Sequence, residues 1–192
     1  MSTAGTTGKP RARLTLRGGR PYEGNTMLIV FGGLPGTGKT TLARALARER
    51  QAVYLRVDTI EQALRSSGTL AGEVGPAGYL AACRLAEDNL LLGRRVVADS
   101  VNPLAITRTA WREVATRSGA KIVEIEVVCS DRDEHRRRVE GRGVDAHGLV
   151  PPTWAQVVGR DYEDWDRPHL VLDTATGTPA EALGKLLTWI DR

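Results

Sequence analysis

Residues 33–40 read GLPGTGKT. They follow a short apolar run at 27–31 (MLIVF) and lead directly into the helical stretch TLARALARER at 41–50. Strand, glycine-rich loop and helix in that order match G-x-x-x-x-G-K-[ST], the Walker A pattern, at every defined position. The spacing has a physical purpose, which is to hold an anion. Gly33, Gly36 and Gly38 let the backbone turn its amides into a concave nest, and the positive end of the following helix faces the same point. Lys39 is expected to reach the β- and γ-phosphates of a bound ATP, Thr40 to place its hydroxyl on Mg²⁺, and Thr41 to hydrogen-bond the α-phosphate. With Thr37, these residues make up the expected nucleotide-binding set.

Outward from this loop the chain alternates short apolar runs with helical stretches, the pattern of a parallel sheet covered on both faces. Five strands are predicted, over 27–31, 53–57, 95–98, 122–129 and 169–172. Helices are predicted to start near Lys39, Thr59, Pro76, Leu104, Asp131, Pro152 and Pro179, several with Pro or Asp where it fits helix entry. The fold class that follows is α/β, a three-layer sandwich around a five-stranded parallel sheet with a helical lid. The glycine-rich connection 66–78 is long for such a unit and reads either as a mobile substrate loop or as a plain surface loop.

Ligands of an open parallel sheet lie beyond the carboxyl ends of its strands, so the residues there carry the chemistry. VYLRVDTI places Asp58 at the tip of the second strand. A carboxylate in that position can take the proton of a hydroxyl that attacks phosphorus. Asp58 followed by Thr59, Ile60 and Glu61 equally resembles a capping box that opens a helix. RVVADSVNP puts Asp99 after three apolar residues, the hydrophobic-then-acid pattern of a carboxylate in a magnesium shell, with Asn102 in the same turn. After the fourth strand an arginine-rich helix ends in Gly141-Arg142-Gly143. Most such runs are solvated helix faces. Here the position suits cations that close over a transferring phosphoryl group, with Arg142 the first candidate, Arg138 the second and Arg160 a weaker one. Trp154, Tyr162 and Trp165 suit stacking on a base or substrate but are expected rather to pack on the sheet, and residues 173–177 to edge a base pocket.

Composition sets the remaining bounds. The 192 residues, 41% hydrophobic and 26% charged, suit a single globular domain. No apolar run approaches the roughly 20 residues that cross a bilayer. Because the first apolar run begins only at Met27, no secretory signal is evident and the cytoplasm is the expected location. Cys83 and Cys129 read as buried thiols, and His135, His147 and His169 form no metal-ligand cluster. The net charge of +4 sits in residues 1–26, where five basic side chains face one acidic one, which leaves 22 of each sign beyond. That segment is expected to be a disordered basic arm ahead of a domain at 27–192. It reads as a solvated tail, as an arm on phosphate backbones, or as sequence ahead of a start at Met27.

Together GLPGTGKTTLA, VDTI, VVADSVN, RRRVEGRG and RDYEDWDRPHLVLDT resemble the small P-loop kinase superfamily, with an AAA-type ATP-binding domain, that includes phage polynucleotide kinase, chloramphenicol phosphotransferase and the zeta toxins. The resemblance implies strand order 2-3-1-4-5, Asp58 as general base and Arg142 as the lid arginine. It implies an ATP- and Mg²⁺-dependent transfer of the γ-phosphate to a hydroxyl of a small molecule. A polynucleotide 5′-hydroxyl kinase and an ATP-binding switch without acceptor chemistry are the alternatives. The neutral balance beyond residue 26 weighs against a polyanionic acceptor, because grooves for nucleic acid are basic.

Overall fold

The computed structural model describes residues 26–68, 72–144 and 148–191. The element order is β1 (Met27–Gly32), α1 (Lys39–Glu49), β2 (Val53–Arg56), α2 (Val57–Ser66), α3 (Ala77–Leu91), β3 (Val96–Asp99), α4 (Ala105–Ser118), β4 (Lys121–Val128), α5 (Arg132–Glu140), α6 (Trp154–Val158), β5 (Leu170–Asp173) and α7 (Pro179–Ile190). The strands form one parallel sheet in the order β2-β3-β1-β4-β5. Parallel neighbours need crossover connections, and helices supply them on both faces.

Alternation along β1 sorts the two cores. Leu28 and Val30 join Val96 and Ala98 under α3 and α4, with the fully buried Trp111. Ile29 and Phe31 join Val97, Ile125 and Val127 under α1 and α7. A strand buried on both sides reads as a continuous apolar run, which is why 27–31 was legible as a strand.

The predicted strands are all present with ends displaced by one residue at most. β3 and β5 run one residue further than expected and take in Asp99 and Asp173, whereas β2 stops one residue early. The early stop moves Asp58 off the strand tip and into the first turn of α2, whose cap position belongs to Arg56. The capping-box reading of Asp58 therefore fails. Val57 is buried against the α3 core, and that burial sets the strand-to-helix boundary one residue ahead of the polar signal. Genuine capping boxes open α6 (Thr153 with Gln156) and α7 (Thr178 with Glu181), so the helix expected near Pro152 starts at Trp154. Asp131 caps α5 by accepting from the amides of Asp133 and Glu134.

The expectation of two buried thiols holds for Cys83 alone, since Cys129 is partly exposed; both are free. The arm at 1–25, His147 and residues 69–71 of the long connection lie outside the described residues. Among the described residues no helix is long and apolar enough to cross a membrane.

Candidate active site

The loop after β1 takes the shape its glycines permit. Gly33, Gly36 and Gly38 adopt φ of 130°, 90° and 91°. A side chain at Gly33 would collide with the Val127 carbonyl oxygen, and one at Gly36 would come within 2.5 Å of Val139 Cγ2. The Thr37 hydroxyl is turned inward, donating to the Leu34 carbonyl at 2.9 Å, so this side chain closes the loop on itself. His135 from α5 reaches the same loop and places Nε2 2.8 Å from the Pro35 carbonyl oxygen. A carbonyl only accepts, so Nε2 carries the proton. Gly38 caps α1 without any side-chain bond, and no acidic residue occupies the first turn, which leaves the positive helix end facing the cleft.

Lys39 is 5% exposed. Burial pushes its ammonium below the ordinary lysine pKa, opposed by the charges of Asp99 and Asp58 and reinforced by Arg142 and Arg56. Lys39 thus lies within electrostatic reach of three other expected side chains, Asp58, Asp99 and Arg142. Asp99 is 1% exposed at the end of β3 and accepts a 2.6 Å hydrogen bond from the Tyr54 hydroxyl. Burial, then the neighbouring Asp99 charge and hydrogen bond, push the Tyr54 phenol well above its ordinary pKa, so it stays a donor. Asp58 accepts from the guanidinium of the buried Arg56 at 3.1 Å.

Three clefts run side by side along the carboxyl edge of the sheet. The first, of about 250 Å³, lies between the start of α1 and residues 174–179 and is bordered by Gly38, Thr41 and Arg138. The second, of about 290 Å³, is the loop's own concavity and is bordered by Gly36, Gly38, Lys39, Thr40, Thr41, Arg138 and Arg142. The third, of about 550 Å³, has Lys39 and Arg142 on its wall again, now with Asp58, Glu61, Val101, Gln156 and Arg160. Lys39 and Arg142 thus stand where the second cleft meets the third, and Asp58 lines the third alone.

The two arginines expected in a lid differ in their contacts. Arg138 is tied down: Nε donates to Glu134 at 2.6 Å, and the two terminal nitrogens donate to the Thr174 hydroxyl and carbonyl at 2.9 and 2.8 Å. Its place is between the first and second clefts. Arg142, beyond the end of α5, makes no salt bridge among the described residues. The expected edge of a base pocket at 173–177 does line the first cleft through Thr174, Thr176 and Gly177.

Trp165 packs on the sheet as expected, over Gly32, stacks on His169 with centroids 4.4 Å apart and donates to the Tyr162 hydroxyl at 3.1 Å, whereas Trp154 packs on α5 instead, edge-on to His135. Asn102 is fully buried with φ of 52° and lines none of the three clefts. The loop after β3 is held by a residue the sequence did not single out. Arg108, fully buried, donates to the carbonyls of Pro103, Glu163 and Asp164 and lies 5.0 Å from the Trp165 ring centroid. Tyr54, Arg56 and His135 are further supporting residues that escaped notice. The signal available for the first two was a tyrosine and an arginine two apart in a four-residue strand, both on the α1 face and aimed at the carboxyl edge.

This sheet order and this loop define a P-loop fold with the architecture of the small P-loop kinases. Residues 28–151 match the AAA domain family model, and the chain belongs to that family. An uncharacterized protein of Mycobacterium tuberculosis is 31% identical over 161 residues, which is 77% of this chain but 32% of that protein. The chain therefore spans about a third of the length of the curated relatives it matches. The M. tuberculosis APS kinase CysC in complex with AMPPNP and APS shares the fold with a TM-score of 0.62 at 20% identity, covering 87% of this chain and 98% of the other. A sugar kinase from Janibacter sp. does so with a TM-score of 0.65 at 18% identity, covering 87% and 95%.

Proposed function

We propose that this chain is an ATP- and Mg²⁺-dependent kinase that transfers the γ-phosphate to a hydroxyl group of a small molecule. The observation that carries this reading is the succession of the three clefts. A nucleotide laid along the first two, with its base beside residues 174–179 and its phosphates in the loop, brings the γ-phosphate to Lys39 and Arg142. The acceptor then occupies the third cleft, and the hydroxyl meets Asp58 there. About 550 Å³ suits a single small molecule rather than a polymer strand.

Asp58, held by Arg56, accepts the proton of the acceptor hydroxyl as the new O–P bond forms and the bond from the γ-phosphorus to its bridging oxygen breaks. Lys39 and Arg142 neutralise the charge that spreads over the equatorial oxygens. Arg138, fixed by Glu134 and Thr174, orients the nucleotide between base and phosphates. Thr40, on the wall of the phosphate cleft, would hold Mg²⁺, and Asp99, buried at the end of β3 behind that wall and near Lys39, would support its shell, which needs only one or two protein oxygens beside phosphate and water. The ion supplies charge neutralisation at the phosphates when bound.

The experiment is transfer of labelled γ-phosphate from Mg²⁺-ATP to a pooled metabolite extract, with a 5′-hydroxyl oligonucleotide in parallel. Asp58→Asn is expected to bind AMPPNP like the wild type and to lose transfer by about 10²-fold or more. Undiminished transfer by that variant would remove Asp58 from the chemistry. Labelled oligonucleotide without a labelled small product would replace the acceptor class.

A further inference from the structure

The third cleft holds more positive charge than the phosphoryl transfer uses. Lys39, Arg65, Arg142 and Arg160 line it against Asp58 and Glu61. The acids have partners: Asp58 is paired with Arg56, and Glu61 with Arg65 at 3.2 Å. Lys39 and Arg142 also border the phosphate cleft and are committed to the γ-phosphate. Arg160 is left. It makes no salt bridge among the described residues, and it borders the third cleft without reaching the second. It acts electrostatically on Glu61, which is already in contact with Arg65.

Arg160 is also well placed to recognise something. It follows α6, which a capping box opens and whose Val157 is buried at 1% exposure. The Arg160 amide donates back to the Val157 carbonyl at 3.4 Å, so the backbone under the side chain is anchored. Trp154 at the other end of α6 packs edge-on against His135, which in turn holds the phosphate loop. Arg160 itself is exposed in the turn beyond α6, and a guanidinium there is suited to bidentate capture of an oxyanion.

We propose that the acceptor carries, beside the hydroxyl that is phosphorylated, an anionic group of the carboxylate, sulfate or phosphate type, and that Arg160 binds it in the third cleft. This rests on the kinase reading of that cleft. A further lid arginine directed at ATP is the competing role for Arg160, and its absence from the phosphate cleft speaks against that.

Inorganic sulfate is the probe. The full chain is first saturated with Mg²⁺-AMPPNP, so that the phosphate loop's own anion site is filled, and sulfate is then titrated by calorimetry. One sulfate per chain is expected for the wild type. Arg160→Gln is expected to weaken it about tenfold or more, the loss of a charged hydrogen-bonding partner, with AMPPNP affinity and melting temperature unchanged. Arg160→Lys, which keeps the charge and loses the fork, is expected to fall between them. Sulfate binding that is equal in wild type and Arg160→Gln, or that disappears once AMPPNP is bound, would overturn the proposal. So would a loss of AMPPNP affinity in Arg160→Gln, because the arginine would then serve the nucleotide. Failure of the wild type to bind AMPPNP at all would overturn the kinase reading itself, and is a separate readout of the same titration.

Discussion

Tyr54 shows how a single hydroxyl can tune the site without touching a substrate. It lies on β2, two residues before Arg56, and its register partner on β3 is Val97, two residues before Asp99. Both pairs face α1, so the phenol reaches up the sheet to the carboxylate and fixes one of its oxygens at 2.6 Å. Asp99 is thereby held at the end of β3, within electrostatic reach of Lys39. In Tyr54→Phe that carboxylate loses a hydrogen bond to a charged group, worth about 1.5–3 kcal/mol. The expected outcome is a rise of about tenfold in the Mg²⁺ concentration that half-saturates ATP turnover, with AMPPNP binding in the absence of Mg²⁺ unchanged. A metal titration of the rate reads this directly, and an unshifted Mg²⁺ curve would remove Asp99 from the metal shell.

At the scale of elements, α5 ties the loop after β1 to Thr174 beyond β5. One face of this nine-residue helix carries His135 to the Pro35 carbonyl and Arg138 to Thr174, and the chain then exits at Gly141 toward Arg142. Glu134 organises that face by accepting from Arg137 at 2.7 Å and Arg138 at 2.6 Å. These hydrogen bonds pull its carboxyl down from 4.5 to about 2. A depressed carboxyl stabilises the fold above its unfolded pKa, and that contribution is lost as pH falls through the folded value. Wild type is therefore expected to lose melting temperature between about pH 4.5 and 2 faster than Glu134→Gln, which has no such contribution to lose. Melting curves across that window check it, and parallel curves for the two proteins would show that the pair does not organise the helix. The helix itself was legible from its cap at Asp131 and its glycine stop. The tie from Arg138 to Thr174 was not, because 36 residues separate the partners and only the β4–β5 pairing brings them together. Asp58 was legible as a residue and misread as an element, since the strand boundary answers to the burial of Val57. Arg108 was illegible for another reason. In the sequence it resembles any surface arginine of a helix, and only the closing of residues 163–165 over it makes it the clamp of the loop after β3.

Over the whole molecule the clefts lie where the chain reverses direction across the sheet. From β1 the first crossover leads to β2 at one edge, and from β3 the chain crosses back past β1 to β4, so the loop after β1 opens into the gap between diverging connections. That placement was legible once the strand order was expected to be 2-3-1-4-5, because the order alone puts the carboxyl ends of β1 and β3 side by side. Charge balance at the same scale separates a small acceptor from a nucleic acid. The basic excess of the chain sits in residues 1–26, and the remainder carries equal numbers of both signs. We assign any attraction to nucleic acid to that segment. A chain shortened to begin at Thr26 keeps every strand, all three clefts and the Thr26 carbonyl that accepts from the Lys121 amide. It is expected to melt and to turn over a small acceptor like the full chain. A 5′-hydroxyl oligonucleotide that binds the full chain through the five basic residues of the segment can show a salt slope of at most about −3.5, at about −0.7 per phosphate neutralised on a single strand. Binding is expected to vanish in the shortened chain. If the shortened chain instead bound the oligonucleotide with the same slope as the full one, the charge of the third cleft would be serving a polyanion, and the acceptor would have to be sought among nucleic acids.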